Sequence, residues 1–382
     1  MSGQLALKEF SAPTRVVAGL GASAQAGEYL SQLTDSPVVA CVIDEALLSG
    51  RVLDKALSSL PSSHIICPVP GSDPSPGDVE ALVEQVRGRG CNVVFMAGGG
   101  SAVGAGKAVA LRLTNDGHVE DYLGRDKAGR HPAPSVALPT TAGSGSEVSS
   151  VIVLHDHARE RIVVLRGARY EPDIAILDGA LVAGLPDRPL LNAAFDALSH
   201  AMESLWAIKA TAFTTALATF AAREIRASLP AVVSSRREGD LQRLLEASTM
   251  ANLACGPAEL ALVHALATSS GAIHLPHGYQ TGILLTHVAD FNSPVLDVAT
   301  RALVDEVSDL YSLVGFPTRF LPGEVTAAQV ATVAEAAHGS GFYLNNIRES
   351  AASDLVSILQ AAGAGVNEGD VHPAAGSGAG PQ

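Results

Sequence analysis

Apolar runs alternate with amphipathic stretches through the first half of the chain. Three of these runs have the length of buried strands, and each is followed by a stretch with helical periodicity. The paired segments are 37–43 with 46–60, 65–69 with 78–89, and 92–97 with 102–113. A repeated strand-then-helix order is typical of parallel sheets covered by helices. The pattern predicts a doubly wound, mostly parallel α/β domain with a Rossmann-like arrangement.

After Pro186 the pattern becomes helical and strand-like runs disappear. Long helical periodicities cover 189–207, 212–228 and 241–254. Breaks between these helices are predicted at Pro230 and at residues 256–257, because proline and glycine end helices.

These patterns divide the chain into three parts. We predict an α/β domain over residues 1–182 and an all-α domain over 183–366. Residues 367–382 are low in complexity and are predicted to be a disordered tail. The active cleft is expected between the two domains.

One carboxylate and three imidazoles in the second half form a complete ligand set for a divalent metal. Asp196 and His200 are spaced i, i+4, so a helix places them on one face, about 5 to 6 Å apart at Cβ. His264 and His277 lie on a later stretch, and helical domains build interior metal sites from two such stretches. Three nitrogens and one oxygen favour iron(II) or zinc over calcium or magnesium. Taken alone, such histidines are more often hydrogen-bonded core or surface residues, and the glycine-rich signature upstream is what favours the metal site.

A glycine-rich turn, GGGS at residues 98–101, directly follows the apolar run 92–97 and precedes an Ala-rich helix that contains Lys107. Glycines at such a turn let backbone N–H groups approach a phosphate. The turn is not the G-x-G-x-x-G fingerprint and is a weak signal alone. A further segment, 139–147, carries hydroxyls and glycines that suit a nicotinamide dinucleotide, although a capping loop has the same composition.

Asp44 ends the first predicted strand. A carboxylate at that position accepts hydrogen bonds from an adenosine ribose and repels a 2′-phosphate, which favours NAD over NADP. The alternative is that Asp44 caps the helix that starts near Ala46. The sequence leaves both interpretations open.

Taken in order, these segments resemble the iron-containing (group III) alcohol dehydrogenase family, from about residue 14 to about residue 362. The resemblance implies a dehydroquinate synthase-like two-domain fold and NAD(P)-dependent interconversion of alcohols with aldehydes or ketones. It also implies a homodimer. The pieces that carry it are residues 14–22, the turn 98–101 with Lys107, 139–148, 172–178, 196–203 and 264–292.

The resemblance also implies roles for individual residues. The implied metal ligands are Asp196, His200, His264 and His277. The residues implied to line the cofactor are Gly99, Gly100, Ser101, Thr140, Thr141 and Ser144.

The chain departs from the family pattern at positions near the expected chemistry. Gly104 stands where the pattern usually has Asp, Ile162 where it usually has Lys, and Thr268 where it usually has a further His. A proton relay through the last position is therefore in question. His274, in the loop before His277, is a candidate to take over the relay or is simply solvent-exposed.

The predicted mechanism is electrophilic catalysis by the metal. The ion polarises the substrate carbonyl and stabilises the alkoxide that forms as hydride arrives from the nicotinamide. Iron is favoured over zinc, because four protein ligands would close a tetrahedral zinc site. His277 is catalytic as a ligand of that ion, and His274 or water is expected to supply the proton, since Thr268 is not an ordinary acid near neutral pH.

The substrate is expected to be a small polar aldehyde. Four cations are candidates to recognise an acidic group, with solvated surface charge as the alternative: Arg161, Arg166, Arg169 and Lys209. Rival functions on the same fold are maleylacetate reductase, glycerol dehydrogenase, the 3-dehydroquinate synthase lyase reaction, and a non-catalytic oligomeric or regulatory protein.

Composition fits a cytoplasmic enzyme with substantial cores. The chain has 382 residues, of which 47% are hydrophobic and only 4% aromatic, so Ala, Val and Leu should fill the interior. A net charge of −14 argues against nucleic acid or an anionic membrane as a partner. No apolar run of spanning length and no leader-like pattern is found, so neither a membrane span nor a signal peptide is expected. The four cysteines lack CxxC spacing and are expected to be reduced.

Overall fold

The structure, a computed structural model, describes residues 8–159, 161–268 and 273–366. Its strands are Arg15–Ala18 (β1), Val39–Asp44 (β2), His64–Val69 (β3), Val93–Gly98 (β4), Gly124–Arg125 (β5), Ser135–Pro139 (β6), Val151–Asp156 (β7), Arg161–Arg166 (β8) and Ile174–Leu177 (β9). Its helices in the first half are Ala26–Leu33 (α1), Glu45–Leu48 (α2), Asp54–Ser59 (α3), Pro76–Arg87 (α4) and Gly100–Thr114 (α5). Those of the second half are Asp187–Trp206 (α6), Ala212–Ser235 (α7), Glu238–Ala258 (α8), Leu262–Thr268 (α9), His277–Asn292 (α10), Val298–Ser308 (α11), Leu310–Val314 (α12), Ala327–Ala337 (α13) and Ala352–Ala361 (α14).

The main sheet is parallel throughout and has the order β1-β9-β6-β4-β2-β3. Alternate residues of its central strands enter different cores: Ala40 and Val42 pack on one side with α4 and α5, whereas Cys41 and Ile43 pack on the other with α1 and α3. Both faces of the sheet are therefore covered, which explains the near-continuous apolar runs in the sequence. The predicted doubly wound α/β domain is confirmed.

A smaller sheet has the order β5-β8-β7, with β7 antiparallel to β8. It packs against α5 through buried residues such as Ile152 and Leu165. The alternation within β8 leaves every second side chain on the opposite face. That outer face becomes one wall of the cleft between the two domains.

The second half is all-helical, as predicted, and α6, α7, α8 and α10 pack around its core. One predicted break is wrong, because Pro230 lies inside α7. The break predicted at residues 256–257 falls in the last turn of α8, which ends at Ala258 before α9 begins at Leu262. Leu229 and Val232 are fully buried on either side of Pro230, so packing outweighs the roughly 3 kcal/mol that a mid-helix proline costs.

The single helix predicted over 46–60 is two helices, α2 and α3, because the chain turns after α2 at Ser49 and Gly50. No described helix is by itself both long and apolar enough to cross a membrane; α8 and α9 reach that length and composition only as a pair bent by 95°. The predicted tail, 367–382, lies outside the described residues.

Candidate metal centre and dinucleotide cleft

Asp196, His200 and His264 converge inside the helical domain. Asp196 and His200 lie one turn apart on α6, and His264 comes from α9. Their ligand atoms all lie within 4.8 Å of one another, and all three residues are buried. His264 Nε2 lies 3.6 Å and His200 Nε2 lies 4.0 Å from Asp196 Oδ1. The cluster has the size and donor types of a metal site.

His277, the first residue of α10, adds a third imidazole from the open side. Its Nε2 lies 3.5 Å from the same Asp196 oxygen, and its side chain is 46% exposed. His264 is in contact with two other imidazole rings, 4.7 Å from His200 and 5.2 Å from His277 between centroids. His277 therefore stands between the buried cluster and the cleft.

His264 Nε2, which faces Asp196, is buried and has no hydrogen-bond partner among the described residues. An unsatisfied buried nitrogen is costly unless something coordinates it. A divalent metal accepts a lone pair from neutral imidazole, so the residues present fit the ion that the sequence predicts.

The charges in the cluster are strongly coupled. Burial alone would raise the pKa of Asp196, but the surrounding imidazoles outweigh it and hold that pKa well below its usual range. Burial lowers the pKa of His200 to about 3 and lowers that of His277. Burial also opposes the charge on His264, yet Glu203 and Asp196 raise its pKa to about 9. Without a metal, His264 holds the proton that pairs with the two carboxylates.

Glu203 is a contact that sequence reasoning missed. It lies on α6, is fully buried, and accepts hydrogen bonds from Val263 N at 2.6 Å and His264 Nδ1 at 2.5 Å. These bonds fix the His264 ring and turn its Nε2 toward Asp196. The spacing i, i+7 from Asp196 puts both carboxylates on one helix face, which is the signal available in the sequence.

The predicted cofactor residues come together at the carboxyl ends of β2, β4 and β6. Gly98 has φ 148°, and a Cβ there would lie 2.6 Å from the Cβ of Ala102, so only glycine fits where β4 turns into α5.

A Cβ on Gly99 would lie 3.2 Å from Thr141, and one on Gly100 would lie 2.5 Å from Ser144 Oγ. Thr140 N donates to Gly98 O at 3.0 Å, which joins the loop after β6 to the glycine turn. Ser101 lies in the first turn of α5.

Asp44 caps α2, since its Oδ1 accepts from Ala46 N at 3.0 Å. Its Cβ also lies 3.0 Å from where a Gly98 Cβ would stand, so the carboxylate adjoins the glycine turn. Both interpretations of Asp44 made from the sequence are compatible with this position.

Lys107 is buried below the cleft and binds the loop that follows β6. Its ammonium is fully buried and donates to three backbone carbonyls, Ser146 O at 2.9 Å, Ser149 O at 2.9 Å and Val151 O at 2.6 Å. Burial lowers the pKa of Lys107 to about 7, against the opposing charges of Glu171 and Glu147. This lysine holds the segment between β6 and β7 and lies below the surface of the cleft.

The loop that Lys107 holds also contacts the metal helix. A Cβ on Gly143 would lie 2.8 Å from the backbone of Ala193, three residues before Asp196 on α6. Asn252 and Ser248 of α8 donate to Gly143 O at 2.8 and 3.3 Å. The glycine-rich loops and the Asp/His cluster therefore belong to one cleft.

The positions that depart from the family pattern are each accounted for. Gly104 is buried in α5 against the backbone of Val153. Ile162 is 39% exposed on the outer face of β8. Thr268 donates its hydroxyl proton to His264 O at 2.5 Å, one turn back along its own helix. His274 is exposed in the segment before α10.

This fold and cluster define a class: two-domain dehydrogenases with a glycine-rich dinucleotide cleft facing a helical metal site. Residues 13–179 match the family model for iron-containing alcohol dehydrogenase, and residues 191–302 match the C-terminal model of the Fe-containing alcohol dehydrogenase family. The chain belongs to the iron-containing alcohol dehydrogenase family and is an enzyme of that family.

Relatives and solved structures agree with this assignment. The chain is 33% identical over 375 residues to the probable alcohol dehydrogenase EutG of Salmonella typhimurium, covering 94% of this chain and 95% of the relative. It is 28% identical to the sulfoacetaldehyde reductase of Bilophila wadsworthia over 73% of each chain. A crystal structure of 1,3-propanediol oxidoreductase superposes with a TM-score of 0.87 at 25% identity, covering 94% of this chain and all of the other.

Proposed function

We propose that the protein is a metal-dependent, NAD-linked oxidoreductase that works as a reductase of a small polar aldehyde. The observation that carries the proposal is the buried Asp196, His200 and His264 cluster in the same cleft as the glycine-rich turn. Names of the relatives include an alcohol dehydrogenase and an aldehyde reductase, which supports both directions of the same reaction.

In this proposal Asp196, His200, His264 and His277 hold the metal. The bound metal supplies Lewis-acid polarisation of a carbonyl, and the bound dinucleotide supplies the hydride. Asp196 contributes the single negative charge of the ligand set, and Thr281 Oγ1 donates to its Oδ1 at 3.0 Å. Glu203 fixes His264 through Nδ1, so that Nε2 faces the ion. Iron(II) is favoured over zinc because its higher coordination number leaves a position for substrate.

The dinucleotide is proposed to lie along the glycine-rich turn, with its phosphates near the start of α5. The residues proposed to line it are Gly99, Gly100, Ser101, Thr140, Thr141 and Ser144. Asp44 disfavours a 2′-phosphate by charge, so NAD is preferred over NADP. A structure of a sulfoacetaldehyde reductase from Bifidobacterium kashiwanohense that shares the fold, with a TM-score of 0.84, was solved with NAD⁺.

The proton for the alkoxide is proposed to come from His274 or from water. His274 lies three residues before His277 and is exposed to solvent. The family pattern usually has a further histidine where this chain has Thr268. The Thr268 hydroxyl donates to His264 O, so we do not assign it the role of that histidine. A His274→Gln variant separates the two sources, because only a histidine donor gives a pH profile that the variant abolishes.

The proposal is tested by loading purified protein with iron(II) under anaerobic conditions and following NADH consumption with a panel of short aldehydes. We expect NADH binding, turnover with at least one aldehyde, and weaker activity with NADPH. NADH binding without net consumption for any aldehyde would point to a lyase. Failure to bind either NADH or metal would point to a non-catalytic protein, and either result would overturn the proposal.

A homodimer is proposed from family membership. β1 is an edge strand of the main sheet, and Val16 on it is 39% exposed, which is compatible with a partner at that edge. Light scattering at several protein concentrations tests the stoichiometry.

A further inference from the structure

The outer face of the β7–β8 hairpin forms a wall of the cleft. Val163 and Leu165 of β8 are buried in the α/β domain, so Ile162, Val164 and Arg166 lie on the opposite face. The register pairs Val153 of β7 with Val164, which places Val153 on the same outer face. Val153 is 40% and Ile162 is 39% exposed. This wall consists of Val153, Ile162 and Val164, with His155 beside Ile162 at one end and one cation, Arg166, at the other.

The wall faces the helical domain at Phe342, which precedes the turn 343–345, and that turn contacts α9, the helix of His264. The guanidinium carbon of Arg166 lies 5.6 Å from the ring centroid of Phe342, a residue of the helical domain. Burial raises the pKa of the Cys255 thiol on α8, Glu203 and Asp196 raise it further, and Arg166 lowers it. The Cys255 thiol therefore interacts electrostatically both with Arg166 and with the carboxylates of Glu203 and Asp196.

Arg166 is held firmly in place. Its carbonyl accepts from Asp126 N at 2.7 Å, and Gly167 N donates to Ser150 O at 3.2 Å. The guanidinium packs over the ring of Phe342, and its N–H groups have no hydrogen-bond or ion-pair partner among residues 8–159, 161–268 and 273–366. An arginine held in this way is suited to bidentate recognition of a carboxylate, sulfonate or phosphonate.

Other cations gather around Arg166 and share a single carboxylate. Arg125 is the cross-strand neighbour of Arg166 in the β5–β8 register, and its Nη2 lies 3.7 Å from Glu259 Oε1. Lys209 Nζ lies 2.7 Å from Glu259 Oε2. Asn345 fixes this arrangement, since its Nδ2 donates to the carbonyls on both sides of Glu259, at 2.8 and 3.0 Å, and its Oδ1 accepts from Lys209 N at 3.2 Å. Arg125 and Lys209 thus share the one carboxylate, and Arg166 adds a third cation beside them, a positive region in a chain of net charge −14.

Glu259 is committed to Arg125 and Lys209, and Arg166 has no carboxylate within 4.0 Å in the part of the chain that the structure describes. Arg161, at the other end of the same strand, pairs with Asp156 at 3.0 Å and with Glu120. The contrast identifies Arg166 as the cation of this strand whose charge is left for a ligand.

We propose that Arg166 binds an anionic group on the aldehyde substrate, so that the preferred substrates are short aldehydes bearing a carboxylate, sulfonate or phosphonate. The inference rests on the proposed function and narrows its substrate class. The apolar wall of Val153 and Ile162 packs along the carbon chain, and the stacked guanidinium receives the anion. Specificity arises because the neutral substrate leaves a desolvated cation without a partner.

The test compares kcat/KM for glycolaldehyde, glyoxylate, sulfoacetaldehyde and phosphonoacetaldehyde in the iron-loaded enzyme with NADH. We expect at least one anionic aldehyde to exceed glycolaldehyde by about 10-fold or more, and Arg166→Gln to lower kcat/KM for that aldehyde by about 10- to 100-fold. The loss should appear mainly in KM, with glycolaldehyde changed less than about threefold. The three anions distinguish which headgroup fits.

The matched control is Arg169→Gln, which removes the same charge from an exposed position three residues away. It should leave the anionic preference within about twofold. An equal loss in both variants would mean general attraction by surface charge, and an equal loss for neutral and anionic aldehydes would mean a structural role; either overturns the inference while the proposed function stands. No NADH consumption with any aldehyde by wild-type enzyme would overturn both.

Discussion

The two sides of the cleft differ in how their side chains are held. On the metal side, Asp196, Glu203 and His264 are buried and joined to one another or to neighbours by short polar contacts. On the hairpin side, Val153 and Ile162 are about two-fifths exposed. The metal side keeps the ligand set expected from the family and is buried and polar, whereas the hairpin side, which carries Ile162, is more open and mostly apolar. In the proposals above, the metal side supplies the chemistry and the hairpin side selects the substrate.

The largest effect is expected from removing the negative charge of Asp196 on the metal side. Asp196→Asn keeps the size of the side chain and its contact with Thr281, but it removes the only anionic ligand. We expect iron occupancy below about a tenth and a fall in kcat/KM of at least about 10³-fold. Elemental analysis and steady-state kinetics measure the two effects. Asp290→Asn, an exposed carboxylate on α10, is the control, and retention of iron by Asp196→Asn would contradict the assignment.

The second test asks whether the buried Lys107 ammonium stabilises the segment that leads into the hairpin. Lys107→Met removes three hydrogen bonds to carbonyls of the segment between β6 and β7 and leaves those carbonyls unpaired. The expected loss is about 3 kcal/mol, seen as a fall in Tm of about 5 °C or more. Lys55→Met, at an exposed position on α3, should leave Tm unchanged within about 1 °C. Equal Tm values for both variants would contradict a structural role for Lys107.

The same variant makes a prediction about pH. The pKa of Lys107 is lowered from 10.5 to about 7 by burial, so between these values the unfolded chain binds more protons than the folded protein. The free energy of unfolding contributed by this group therefore rises with pH from about 7 to about 10.5. Wild type should gain stability relative to Lys107→Met across this window, and parallel pH curves would contradict the lowered pKa.

On the metal side, the hydrogen bond that orients the His264 ring can be weakened without removing a metal ligand. Glu203→Gln retains one acceptor oxygen for two donors, Val263 N and His264 Nδ1, so one of them loses its partner. We expect iron affinity to fall by about 10- to 100-fold, measured by competition with a chelator on folded protein. Glu246→Gln, on the partly exposed side of α8, serves as the control. Unchanged affinity in Glu203→Gln would mean that other packing orients the ring.

Local patterns predicted well the parts of the molecule that depend on local spacing. The i, i+4 spacing of Asp196 and His200 required only that α6 be a helix, and the strand-glycine-helix order located the turn between β4 and α5. Pro230 was misleading because the packing that sustains α7 comes from α6 and α8, which the local sequence does not contain. The contact of Glu203 with His264 spans 61 residues, and the exposure of Arg166 depends on the register of β8. Both required the tertiary structure.

The smallest expected effect concerns two glycines on α5, the helix between the glycine-rich turn and the hairpin. A Cβ on Gly104 would meet only Val153 O, at 3.6 Å, so Gly104→Ala should gain roughly 0.5–1 kcal/mol from helix propensity. A Cβ on Gly106 would lie 2.6 Å from the Cβ of Met96, so Gly106→Ala should lose about 1–3 kcal/mol. Thermal unfolding of the two variants measures the change in the free energy of unfolding, which should be positive for Gly104→Ala and negative for Gly106→Ala. Destabilisation by Gly104→Ala would mean that the backbone of β7 leaves no room for a methyl group on α5, and that the hairpin side is less open than the structure indicates.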